Sequence, residues 1–265
     1  MLIPHRLPLI PGRLVARYDR FIADVKLDTG ELVRSHCVNP GKMEGMISPG
    51  ARAWLSMPPE SPTRKLRYTL ELLEVDGLVM GANTQLPNTL VERLIHAGEI
   101  PGLKRFKYLR REVRYGNNSR IDILLESRHR NHYVEVKNCH LVYPDRCAYF
   151  PDSVSTRATE HLETLASQVE AGDKSTVVVV IQRDDAQRLR PSDLHDPVFA
   201  EAARTAQQRG VRFIATHFSV SPKRGFRFLG TVPVDLRRYP ADSLAPFRDA
   251  LADQSGWIRR KALRR

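Results

Sequence analysis

Short apolar runs separated by turn residues fill the first third of the chain. Gly12–Tyr18, Phe21–Leu27, Glu31–Cys37, Ala51–Ser56, Leu66–Val75 and Leu78–Ala82 read as strands. Asp28-Thr29-Gly30, Asn39-Pro40-Gly41, Ser48-Pro49-Gly50 and Asp76-Gly77 read as the turns between them. Five or six such strands in so short a stretch predict a small closed barrel, because closure removes exposed sheet edges. From residue 83 the period changes. PNTLVERLIHA (87–97) predicts a helix with Leu90, Leu94 and Ile95 on one stripe and Gly98 as its stop. STRATEHLETLASQVEA (155–171) predicts a second helix that buries Ala158, Leu162, Leu165, Ala166 and Val169, and Gly172 ends it. The continuous apolar run TVVVVI (176–181) predicts a central strand covered on both faces. A third helix is expected over 197–209, and strands over Val211–Val220 and Phe226–Leu229. Cys139–Asp152 reads as irregular. The order predicts an α/β sheet covered by helices. The expected division is a barrel domain at 1–82, an α/β domain at 83–234 and an extension at 235–265.

The segment SRIDILLESRHRNHYVEVKNCH (119–140) carries the candidate chemistry. Ile121, Ile123 and Leu125 surround Asp122 in one β-rich run. Tyr133, Val134 and Val136 surround Glu135 and Lys137 in another, and the polar residues 127–132 between them predict a turn. Side chains two apart on a strand share a face, so Glu135 and Lys137 point the same way. Antiparallel pairing sets Asp122 beside them on the neighbouring strand. Two converging carboxylates suit a hard divalent cation, and a lysine beside them can orient a water or stabilise a developing phosphoryl charge. The same alternation also describes a half-solvated strand whose Glu and Lys merely face water.

Charge changes the picture next. The chain has 42 Lys+Arg against 30 Asp+Glu, a net charge of +12, and a surplus of that size favours polyanions, nucleic acid before anionic membrane. Within KRFKYLRREVRYG (104–116), Lys104, Arg105, Lys107, Arg110, Arg111 and Arg114 interleave with Phe106, Tyr108 and Tyr115. Basic groups neutralise phosphates while rings offer stacking surfaces; the competing reading buries the rings in a core. The tail from Asp235 carries eight Lys/Arg against four Asp and reads as a mobile basic arm. Cys37, Cys139 and Cys147 show neither a disulfide framework nor zinc-ligand spacing with His132 or His140, which fits buried thiols in a reducing cytoplasm. The amino terminus is interrupted by Pro4, Pro8 and Pro11 and makes a poor signal peptide, and no apolar run has the roughly 20 residues of a membrane helix. No phosphate loop, GxSxG elbow or HExxH helix is found, which argues against P-loop NTPases and against hydrolases built on those motifs.

Five motifs, RFIADV (20–25), NPGKMEG (39–45), YGNNSRIDILL (115–125), YVEVKN (133–138) and YFPDSVSTRATEHLETL (149–165), follow one another in order over about residues 12–232. With them the chain resembles the PD-(D/E)XK nuclease superfamily and, more narrowly, the sugar fermentation stimulation protein A (SfsA) family. The resemblance implies an OB-fold-like β-barrel followed by a PD-(D/E)XK nuclease-like α/β domain, in a cytoplasmic protein of bacteria or archaea. It also implies DNA as partner and a link to the regulation of sugar utilisation. By position, Asp122 and Glu135 occupy the metal-carboxylate places and Lys137 the lysine place of the nuclease motif, with the Val136 carbonyl as a further donor to Mg²⁺ or Mn²⁺. Ile121 stands where a proline is often found, a structural departure. An upstream acid is expected from Glu92 or Glu112, between which the sequence does not choose. Asp152, Arg157 and His161 are accessory candidates if the helix at 155 packs beside the hairpin; otherwise they serve helix entry, a surface ion pair and a solvated face. Two functions follow: a divalent-metal-dependent nuclease, or a DNA-binding regulator of sugar metabolism genes that keeps the fold without turnover. Oligomeric state is not legible.

Overall fold

The computed structural model of the protein describes residues 1–62, 64–115 and 119–259, and of Ser119 only the backbone. Gly116–Asn118 of the YGNNS motif and the last six residues of the basic tail lie outside the described residues.

The chain forms two compact units. One comprises residues 2–85, 219–227 and the segment from Pro246 onward. After the short β1 (Leu2–Ile3) come β2 (Ile10–Tyr18), β3 (Ile22–Leu27), β4 (Leu32–His36), β5 (Arg52–Ser56), β6 (Tyr68–Val75) and β7 (Leu78–Gly81). The order β4-β3-β2-β5-β6-β7 is antiparallel throughout, and a parallel pairing of Ser35 with Tyr68 and His36 with Thr69 joins β4 to β6. Five strands thus close on themselves, and the sixth hangs on as a hairpin. The inward residues Leu14, Val25, Leu55, Leu70 and Leu73 fill the barrel with Met43, Met46 and Met80.

The tail departs from the mobile arm expected of it. From Gln254 to Ile258 it is hydrogen-bonded to the barrel: Ile47 N donates to Gln254 O, Gly256 N to Lys42 O, Ile258 N to Arg17 O and Asp19 N to Ile258 O. Arg17, 1% exposed, donates to the carbonyls of Arg20, Asn39, Gly41, Lys42 and Gly256, and its guanidinium stands 5.5 Å from the Trp257 ring centre. The charge count of the tail hides Trp257, whose ring lies against Arg17 and Arg20, whereas Ile258 is 57% exposed and attaches through its backbone.

The other unit comprises Met1, 86–218 and 228–245. Its elements are α1 (Leu86–His96), β8 (Tyr108–Tyr115), β9 (Ser119–Glu126), β10 (Asn131–Cys139), β11 (Cys147–Phe150), α2 (Thr156–Glu170), β12 (Lys174–Ile181), β13 (Arg188–Pro191), α3 (Pro197–Gln208), β14 (Arg212–Ser221) and β15 (Gly225–Val232). Within this unit the main sheet has the order β15-β14-β12-β10-β9-β8, with β10, β12 and β14 parallel and β8, β9 and β10 an antiparallel meander. Val177, Val179 and Ile181 of β12 join the core made by α2 and α3. Val178 and Val180 are as deeply buried, and the period of two turns them to the opposite face. The apolar run of β12 is therefore that of a strand covered on both sides.

Two elements differ from expectation, and the basic stretch, to which the sequence assigns no element, is β8, the edge strand of this sheet. The hairpin turn is 127–130, because Asn131 and His132 already pair with Glu126 and Leu125. The segment after Cys139 contains β11, which forms a two-stranded parallel sheet with β13.

Candidate metal and catalytic centre

β9 and β10 pair antiparallel up to Val134 opposite Ile123, where the ladder stops. One step further the same register sets Asp122 opposite Glu135. On the other side of β9 the ladder to β8 skips from Arg111–Ile123 to Val113–Ile121, and Glu112, at the skipped place, has a φ of 52°. Asp122 thus sits where both neighbouring ladders are interrupted, and its carboxylate takes the place of the missing strand bonds. Its Oδ2 accepts from the Val136 amide at 2.7 Å and its Oδ1 from Asn88 Nδ2 of α1 at 2.8 Å.

Glu135 and Lys137 lie beside Val177 and Val179 in the parallel pairing with β12, on the face that α2 covers. Glu135 is 3% exposed. Its Oε1 accepts from Lys137 Nζ at 2.7 Å and from His161 Nδ1 at 2.5 Å. Its Oε2 is buried with no hydrogen-bond partner. Arg157 Nε lies 3.4 Å from His161 Nε2, so the tautomer with its hydrogen on Nδ1 accepts from Arg157 and donates to Glu135. His161 is buried, not on a solvated face, and Arg157 is exposed. The stripe of α2 includes His161 as well as Ala158, Leu162, Leu165 and Ala166, which a purely apolar reading of the helix passes over.

The two carboxylates titrate in opposite directions. Burial, and then repulsion from Glu135, push Asp122 up to about 6 against the bonds from Val136 and Asn88. Burial pushes Glu135 up as well, but the hydrogen bonds from His161 and Lys137 and the charge of Lys137 outweigh it and hold the group below its ordinary value.

The remaining candidates fall elsewhere. Glu92 on α1 bonds Arg111 at 3.3 Å, and Glu112 is exposed. The residue that α1 joins to Asp122 is Asn88, which a search for acids passes over although it stands in the first turn of the predicted helix. Asp152 lies 3.4 Å from His140 Nε2. On β8 the side chains of Arg110, Arg111 and Arg114 are exposed, as are Lys104, Arg105 and Lys107 just before it. Arg110 is paired with Glu126 at 2.6 Å, and Arg111 with Glu92. The rings divide between the two readings: Tyr108 is 54% exposed, while Tyr115 is buried and stacks on Tyr133. The three cysteines are free and buried.

The donor set fits a hard cation. A buried carboxylate oxygen without a partner is costly, and Asp122, raised in part by the neighbouring Glu135 charge, is relieved by a positive charge between the two. The N–H and C=O of one strand residue point to the same side, so the Val136 carbonyl faces the side on which its amide meets Asp122. Among the described residues no group of three or more His, Cys, Asp and Glu is gathered as a metal cage. Any cation here is therefore held by few carboxylates plus neutral oxygens.

Comparison with known proteins covers most of the chain. A family model described as the sugar fermentation stimulation protein RE domain matches residues 85–224, and one described as the SfsA N-terminal OB domain matches residues 15–81. The sugar fermentation stimulation protein homolog of Rhodospirillum centenum (strain ATCC 51521 / SW) is 47% identical over 216 residues, which is 81% of this chain and 92% of that one. The homolog of Agrobacterium fabrum (strain C58 / ATCC 33970) is 44% identical over 229 residues, 86% of this chain and 95% of that one. The solved structure of Pyrococcus furiosus SfsA in complex with Ca²⁺ superposes with a TM-score of 0.81 at 24% identity, over 88% of this chain and 98% of that one. At that identity the match speaks to the fold. Among the described residues no helix is long and apolar enough to cross a membrane.

Proposed function

The chain belongs to the sugar fermentation stimulation protein (SfsA) family, and from that premise we propose that it binds DNA and hydrolyses phosphodiester bonds with a divalent cation. The observation that carries the reading is the pair of half-buried Asp122 and buried Glu135, with Lys137 bonded to Glu135 and one carboxylate oxygen, Glu135 Oε2, left without a partner. Asp122, Glu135 and the Val136 carbonyl would hold Mg²⁺ or Mn²⁺, and the Ca²⁺ named with the Pyrococcus furiosus structure is a cation of the same hard class. When bound, such an ion supplies Lewis-acid stabilisation of charge on a phosphate oxygen. The chain's own groups do the rest. Asn88 and the Val136 amide fix the Asp122 carboxylate, and His161 fixes Glu135 from α2. Lys137, 2.7 Å from Glu135, stays close to the reacting phosphate as a donor for the negative charge that develops there. The OB domain and the exposed basic side chains near β8 supply the grip on the polyanion through many weak phosphate contacts.

Purified protein incubated with single- and double-stranded DNA, with Mg²⁺ or Mn²⁺ against EDTA, tests this. Cleavage is expected only with the cation. Lys137→Ala should lower its rate about 10²–10³-fold while leaving DNA affinity nearly unchanged, because its charge is largely compensated by Glu135. Wild-type rates in that variant remove Lys137 from the mechanism. Binding without any cation-dependent cleavage leaves a DNA-binding regulator as the better reading.

A further inference from the structure

The centre is poor in carboxylates, and helix α1 is the reason. Each oxygen of Asp122 receives one donor, and one of the two comes from the amide of Asn88 in the first turn of α1. An ionised carboxylate oxygen has two acceptor sites, so each oxygen of Asp122 keeps one for a cation. The acids that could have added charge are engaged or turned away. Glu92 is bonded to Arg111 on β8, and Glu112 is exposed on the same strand with a positive φ. Glu135 already shares its Oε1 with Lys137 and His161. Two carboxylates and one lysine therefore face each other, and no cage of three or more acidic, histidine or cysteine ligands is present among the described residues.

Two divalent cations about 3.5–4 Å apart repel strongly and need carboxylates that bridge and flank them. Two carboxylates of which one is bonded to a lysine lack that charge, but they suffice for one ion together with neutral oxygens. We propose that this centre takes a single divalent cation per chain, and that Asn88 is the positioning residue that both orients Asp122 for it and keeps the count at one. Asparagine and aspartate have nearly the same shape. An aspartate at 88 would bring a third carboxylate to hydrogen-bond distance of Asp122 with little change of packing, whereas the amide donates there and adds no charge. The inference rests on the cation-dependent reading of the site and goes beyond it in stating the stoichiometry and the residue that sets it.

Mn²⁺ binding to the full chain, counted by calorimetry and by the free-ion spin-resonance signal, tests this without any cleavage assay. Wild-type protein should bind one ion per chain at this centre, and Asp122→Ala should abolish that binding. Asn88→Ala should still bind one ion, about 10–100-fold more weakly, as expected when a group that orients a ligand is lost. Asn88→Asp should acquire a second, weaker Mn²⁺. Thermal melts with and without Mn²⁺ accompany each variant, so that a loss of folding is seen as such, and Asn88→Ser stands in should Asn88→Ala fail to fold. Two ions in the wild type, an Asn88→Ala or Asn88→Ser protein with wild-type affinity, or an Asn88→Asp protein that still takes one overturns the inference while leaving the cation-dependent reading intact. No Mn²⁺ bound by the wild type, or binding that survives in Asp122→Ala, overturns that reading and the inference with it.

Discussion

At the scale of single residues, the polar groups inside the α/β unit do unlike things. Glu135 and Lys137 are held as a charged pair, whereas His132 is held uncharged. His132 is 8% exposed, with its Nε2 2.7 Å from Thr176 Oγ1, and burial, then Lys174 and Arg212, push it down to about 4. An unfolded histidine titrates near 6.5. Folding therefore favours the neutral ring, and the stability this gives is complete above about pH 6.5 and is lost as pH falls towards 4. The gap corresponds to about 3 kcal/mol. Urea unfolding at pH 7 and pH 4.5 should show a loss of that order in the wild type and a clearly smaller one in His132→Gln; equal losses would show that other groups govern the acid limb. His161, on the other face of β10, is a different case. His161→Ala leaves Lys137 as the remaining hydrogen-bond donor to Glu135 Oε1, and should weaken Mn²⁺ binding about 10–100-fold with the fold retained. Unaltered affinity would reduce His161 to a packing residue.

At the scale of elements, β8 shows how one strand serves two demands. An edge strand exposes unpaired backbone groups, and charged side chains along it discourage pairing with another chain. Those same charges are the ones proposed to meet phosphates. The structure separates them: Arg110 and Arg111 are ion-paired with Glu126 and Glu92, so binding a phosphate there means exchanging one anion for another. Lys104, Lys107 and Arg114 are exposed on and just before the strand. Replacing these three with alanine should flatten the dependence of DNA affinity on salt by about 0.9 in log–log slope for each phosphate that is no longer neutralised. Replacing Arg110 and Arg111 should change it less. A slope equal to that of the wild type after the triple replacement would assign phosphate binding to other basic groups.

At the scale of the molecule, the carboxy-terminal segment belongs with the barrel that begins the chain. Arg17 is buried on five backbone carbonyls, one of them Gly256, and the Ile258 strand bond closes over Tyr18. Ending the chain at Ser255 removes the Gly256 acceptor, the Trp257 ring and the backbone bonds of Ile258. The loss should lower barrel stability on the order of 2–4 kcal/mol, read as a lower melting temperature, with Trp257→Ala causing part of it. An unchanged melt would mean that the segment merely lies on the surface. Much of this architecture is legible in the sequence. Alternation and turn residues specify the barrel strands, the period of 3.6 specifies α1, α2 and α3, and the placement of Asp122, Glu135 and Lys137 on two paired β runs brings them side by side, because each is a local pattern written within a short stretch. What the sequence does not decide depends on which groups meet across the fold. Glu92, Glu112 and Asn88 stand on elements that approach Asp122 from different sides, and only the packed structure shows that the amide reaches it and the acids do not. The sequence leaves His161 open between an accessory place at the centre and a solvated face, and only the packing of α2 turns it onto Glu135. The docking of the tail is likewise a meeting of the two ends of the chain. Such a meeting, across so many residues of sequence, is set by where the core leaves room for it, and no local pattern records that.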